Sequence, residues 1–118
     1  MKSIYLIFTI IYILVYATSC QNKNEIFLLL NSHEKEDVIR GAYLAGESGS
    51  EEFSSFLLKN VNDVRTSTNL KFKGYNIYQE KMIALSKIYK QKPPIEITDK
   101  PDSTIIKFYT ELSETSKK

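Results

Sequence analysis

A side chain that does chemistry needs partners, and this sequence supplies few. His33 is the only histidine and Cys20 the only cysteine. A zinc site needs three or four ligands, drawn mostly from those two residue types. A nucleophilic Ser or Cys needs a base within hydrogen-bond reach. Glu34, Glu36 and Asp37 cluster, but without the spacing or the central glycine of a calcium loop. The segment Gly46-Glu47-Ser48-Gly49-Ser50 has the outline of a nucleophile elbow, which requires Gly-x-Ser-x-Gly on a strand-to-helix turn. Position 50 is Ser, and the flanking pattern is helical. Four glycines are spread along the chain, so no glycine-rich loop cradles phosphate. The expectation is a non-enzyme, with no catalytic residue, no metal site, no cofactor and no small-molecule substrate.

Binding is then the role left to the side chains. Arg65, Lys71 and Lys73 concentrate positive charge in a polar stretch, which suits an acidic partner and equally suits a solvated loop. Eight tyrosines accompany no tryptophan. Tyr75, Tyr78 and Tyr89 lie on or beside one helical segment, and Tyr78 and Tyr89 are three turns apart, near one face. An exposed row of tyrosines suits protein binding; the alternative is rings packed in the core with their hydroxyls at its edge. The candidate protein-binding set is therefore Arg65, Lys71, Lys73, Tyr75 and Tyr78.

Cys20 has its own context. Lys2 opens a stretch that is apolar from Ile4 to Ala17 apart from Thr9, and small residues then lead to the cysteine. This is the layout of an export signal, with a charged start, an apolar stretch of roughly 7–15 residues and a small-residue cleavage site. The segment Ala17-Thr18-Ser19-Cys20 resembles the lipobox of bacterial lipoproteins, with Ala17 where that family favours Leu. The resemblance implies a signal peptide over residues 1–19, cleavage before Cys20, and acylation of the Cys20 thiol. Residues 20–24 would then be the lipidated cysteine and a polar tether, and 25–118 a single domain. An ordinary secretory signal cut near Ala17 is one alternative. An uncleaved anchor is another, although the apolar stretch falls short of the ~20 residues that cross a bilayer.

The elements that must position these residues are helical. Ile26, Phe27, Leu29 and Leu30 start a first helix, broken at Asn31-Ser32-His33. Val38, Ile39, Ala42, Tyr43 and Ala45 recur at spacings of three and four, the mark of a helix with one buried face. Gly46 and Gly49 bracket its end. Ser50 reads as the N-cap of the next helix, which carries Phe53, Phe56, Leu57 and Val61. Residues 62–73 read as a long loop closed by Gly74. Tyr75 to Lys90 reads as a strong amphipathic helix, stopped by Lys92-Pro93-Pro94. Ile95 to Thr98 alternates, as an extended segment would. Ser103 to Leu112 is the last helix, and Ser113 to Lys118 is expected to fray.

The chain also repeats itself. Phe27-Leu28-Leu29-Leu30-Asn31 returns as Phe56-Leu57-Leu58-Lys59-Asn60, and Tyr43-Leu44-Ala45-Gly46 returns loosely as Ile83-Ala84-Leu85-Ser86. Both echoes fit one register if the loop at 62–73 is an insertion. Repeats of this period point to stacked helical units, each needing its neighbour to bury a face. The segment Asp37 to Phe53, leading to Phe56-Leu57-Leu58, resembles a HEAT-like repeat, with Ala42, Gly46 and Gly49 where the family has small residues. The resemblance spans about Ile26 to Ile88. It implies an all-α fold: a short HEAT-like α-solenoid of stacked antiparallel helix pairs with a non-repeating C-terminal cap helix. An irregular helical bundle is the alternative.

Charge narrows the partners. Sixteen Lys and Arg, one of them Lys2, face fourteen Asp and Glu. So even a balance gives no basic stripe for nucleic acid and no cluster that would hold an anionic membrane surface. The lipoprotein resemblance implies several acyl chains and so a stable anchor in the bacterial cell envelope, with Gln21 after the cysteine leaning towards the outer membrane or surface. The function expected is a membrane-tethered lipoprotein whose helical-repeat domain binds another protein as scaffold or adaptor, through the inner curve of the helix pairs or the loop at 62–73. The alternative is a small exported inhibitor or immunity-type protein that blocks a toxin or hydrolase.

Overall fold

Apolar residues recurring at three and four become helices along the chain, and the computed structural model describes residues 23–117. The leader 1–19, Cys20 and the start of the tether lie outside the described residues. Helix α1 occupies residues 23–30, so Lys23 and Asn24, read as tether, are already helical. Helix α2 follows at Lys35–Ser48 and buries Val38, Ile39, Ala42 and Ala45. Gly49 closes it at φ 70°, a left-handed turn that glycine adopts without steric cost. A 3-10 turn, Glu51–Phe53, leads directly into the short helix α3, Ser54–Leu58. Ser50 stands in the capping position, yet its side chain makes no capping bond.

Helix α4, Ile77–Tyr89, starts at a capping box. Asn76 Oδ1 accepts from the Gln79 amide at 2.8 Å, and Gln79 Oε1 accepts from the Asn76 amide at 3.0 Å. Tyr75, read as the first residue of this helix, lies outside it. Segment 91–102 contains no strand; it runs back along α4 as irregular chain, and Asn76 Nδ2 donates to the Asp99 carbonyl at 2.6 Å. Asp102 then caps α5, Ser103–Ser116, accepting from the Thr104 and Ile105 amides. The expected fraying from Ser113 is corrected: Ser113 is buried and the helix runs on to Ser116.

Contacts set the direction of each helix. Gly41 abuts Leu29 and Leu30 near the turn, while Glu25 and Ile26 line a cleft with Leu44 and Ser48, so α1 and α2 are antiparallel. Ser54 Oγ at the start of α3 bonds the Tyr89 hydroxyl at the end of α4 (2.8 Å), and Lys81 Nζ reaches the Lys59 carbonyl (2.7 Å), so this pair is antiparallel too. The pairs stack with like helices aligned. Val38 and Ile39 share an apolar cluster with Ile77, and Glu47 near the end of α2 meets Lys87 near the end of α4 at 2.9 Å. Phe27 on α1 packs against Phe53 and Phe56, with ring centroids 4.7 and 4.9 Å away. A Cβ at Gly46 would lie 2.9 Å from the Ala84 Cα, so α2 and α4 approach as closely as glycine permits. α5 covers α3 and α4 and sinks Ile105 and Tyr109 into the core. The fold is all-α. Among the described residues no helix is long and apolar enough to cross a membrane.

Candidate protein-binding surface

The loop between α3 and α4 is polar in sequence and firmly seated in structure. Its backbone is tied to the start of α4, where the Tyr78 and Ile77 amides donate to the Asp63 and Arg65 carbonyls at 2.9 and 3.0 Å. Ser67, itself buried, donates its hydroxyl to Glu36 on α2. Asn69 caps a 3-10 turn at Leu70–Phe72. That turn drives Phe72 into the cluster of Val38, Ile39 and Ile77, edge-on to Tyr43. Lys73 and Gly74 then reverse the chain at φ 56° and 75°. Phe72 is why so polar a segment holds one conformation: one buried aromatic anchors the polar residues around it.

The tip of this seated loop is Leu70, a residue 92% exposed. Lys71 lies beside it, its Nζ 5.1 Å from the centre of the Tyr43 ring, and Lys87 reaches the same ring at 5.5 Å. Lys87 is also paired with Glu47, which pushes its pKa up. Lys73 is exposed at the far side of the turn. Leu70 thus stands as an apolar knob on a turn that also carries the exposed cations Lys71 and Lys73.

The other candidates separate from it. Arg65 is committed elsewhere. Its guanidinium binds both Asp63 carboxylate oxygens (2.8 to 3.1 Å) and donates Nη1 to the His33 carbonyl at 2.9 Å. That hydrogen bonding holds the Asp63 carboxyl below its ordinary range. Arg65 is a strut between the loop and the α1–α2 turn. Tyr75 is half-buried beside Pro93 and Pro94. Tyr78 is corrected as a surface candidate: it is fully buried, and its hydroxyl accepts from the Asp102 amide at 3.1 Å, joining α4 to α5. Tyr89 and Tyr109 likewise turn their hydroxyls to Ser54 and the Gln91 carbonyl, and burial pushes Tyr109 up to about 12. Tyr78, Tyr89 and Tyr109 thus belong to the packing of the core, with their hydroxyls satisfied at its edge.

Two charged residues of α4, Glu80 and Lys81, are buried without any sign of it in the sequence. Lys81, on α4, is only 3% exposed. Its Nζ donates to the Lys59 carbonyl, which the end of α3 leaves without a helical partner. Burial lowers its pKa to about 8, with the Asp63 carboxylate opposing and the Arg65 and Lys59 charges adding to the fall. A cleft of about 140 Å³ opens beside it, rimmed by Ser32, His33 and Asn60. A lysine between Glu80 and Met82 carries no local sign of burial; only the packing of α3 on α4 creates it.

Comparison with protein-family models, curated proteins and solved structures yields no match for this chain.

Proposed function

We propose that this chain is a lipid-anchored envelope protein whose helical domain binds another protein through the tip of the 62–73 loop. The observation that carries the reading is Leu70. A large apolar side chain stands almost wholly in solvent while the loop beneath it is anchored by Phe72 and by bonds to two helices. A knob already held in its bound shape loses little conformational freedom when it docks, so more of its burial appears as affinity. Lys71 and Lys73 beside it favour a partner whose apolar hollow has an acidic rim, the complementarity that gives specificity and a fast approach.

The scaffold beneath is read as two HEAT-like units, α1–α2 and α3–α4, capped by α5. Support comes from the parallel stacking of α2 on α4 and from the meeting of the echoing segments, where Gly46 touches Ala84. In this reading the 62–73 loop is the insertion that gives the second unit its binding surface. Cys20 is the proposed attachment point, placing the domain on the envelope through acyl chains, with an outer-membrane or surface location favoured.

Two measurements test the proposal. Intact mass of protein purified from its native membrane should carry a diacyl or triacyl increment that a Cys20→Ser variant lacks; unmodified mass would remove the anchor. A photo-crosslinking residue at position 70, in cells, should capture one discrete protein partner, and the same residue at exposed position 95 should not. Equal or absent adducts at both positions would remove the binding surface. A captured toxin or hydrolase would assign the surface to inhibition, and an envelope assembly protein to scaffolding.

A further inference from the structure

We propose that the cleft floored by Lys81 is a carboxylate-binding site, independent of the Leu70 surface. The first ground is an ammonium group with spare donors. Lys81 Nζ spends one of its three N–H groups on the Lys59 carbonyl, and among the described residues no carboxylate comes within ion-pair distance of it. Asp63, the one carboxylate whose charge acts on Lys81, is held by Arg65 instead. The second ground is the charge balance. Within the lining the Arg65–Asp63 pair cancels and leaves the cations Lys81 and Lys59, with His33 at the rim; beyond the lining, Glu34 acts on Arg65 and Asp37 accepts from Ser32.

The third ground is space. The cleft of about 140 Å³ admits a group of a few atoms beside a lysine that is itself almost completely buried. A buried ion lacking a counter-charge is costly, and an entering anion relieves that cost. A carboxylate matches the opening by size, by its single charge and by two oxygens for the two unused N–H groups. The group is either a free small carboxylate or the side chain of an acidic residue on a docked protein.

The test is side-chain NMR of the full chain labelled at lysine. The Lys81 signal is followed from pH 6 to pH 10 in sodium chloride, then with sodium acetate in its place at equal ionic strength. A bound carboxylate favours the ammonium form, so the Lys81 midpoint should rise by about one pH unit or more while the exposed lysines stay put. An unchanged midpoint overturns the proposal, as does an equal rise in phosphate at the same ionic strength, which would mean anion binding with no preference for a carboxylate. This measurement needs no variant, so a misfolded Lys81→Met protein cannot obscure it; where Lys81→Met folds, its melting temperature should be the same in acetate and chloride. A blocked glutamate amide acting at lower concentration than acetate assigns the carboxylate to a partner's side chain. Acetate acting at equal or lower concentration assigns it to a free ligand.

Discussion

Replacing Lys81 with Met removes a charge that the fold holds at a cost, and the cost can be followed with pH. In the unfolded chain a lysine titrates near 10.5, and in the folded protein burial brings Lys81 to about 8. Below pH 8 both states are protonated, so this residue gives no slope. Between pH 8 and about 10.5 the unfolded state binds a proton that the folded state has lost, and stability must rise with pH. At about 1.4 kcal/mol per pH unit, the gain approaches about 3 kcal/mol at the top of that window. Above pH 10 the tyrosines work in the opposite direction, because Tyr78 and Tyr109 hold their protons more tightly when folded. The assay is urea denaturation followed by circular dichroism at intervals from pH 7 to pH 10, in chloride buffers free of carboxylate. Wild type should gain stability from pH 8 to pH 10, and Lys81→Met should not. At pH 7 the variant is relieved of about 3 kcal/mol of burial cost and loses about 1–3 kcal/mol by stranding the Lys59 carbonyl, so it should be about 1 kcal/mol more stable. Parallel pH curves for the two proteins would refute the reasoning, because the slope must belong to this one side chain.

Other changes probe the packing and the surface. Gly46→Val places a branched side chain against the Ala84 backbone and should cost about 2 kcal/mol in urea denaturation. An unchanged midpoint would mean that α2 and α4 do not cross so closely. Phe72→Ala empties the anchor of the loop, should cost about 3 kcal/mol, and should expose residues 62–73 to limited proteolysis. Asn76→Ala removes the capping box and the bond to Asp99, with an expected loss of about 1 kcal/mol in thermal melts. Leu70→Asp should leave stability within about 0.5 kcal/mol of wild type, yet abolish capture of a partner by a crosslinker placed at position 71.

Helical class and most helix positions were legible in the sequence because they depend on local spacing. Val38, Ile39, Ala42 and Ala45 mark a buried stripe without reference to any other part of the chain, and Lys92-Pro93-Pro94 stops a helix wherever it occurs. Boundaries were less legible where a side chain had to choose a partner. Ser50 has the composition of a cap and does not cap, whereas Asn76, passed over in the sequence, supports a full capping box with Gln79. The loop at 62–73 is irregular by composition, but its order comes from Phe72 inserting between α2 and α4, a contact between distant segments.

The functional candidates divided along the same line. The charges of Lys71 and Lys73 and their place in the loop belong to the sequence alone. That Leu70 stands exposed on the same turn, that Arg65 is spent on Asp63 and His33, and that Tyr78 lies inside the core were decided by the tertiary structure. So was Lys81, whose surroundings come from α3, the 62–73 loop and the α1–α2 turn. Periodicity states which face of a helix is apolar; it does not state which charged residue another helix will cover. Burial is a property of the assembled layers, and so the groups whose chemistry depends on burial emerge only when the layers meet.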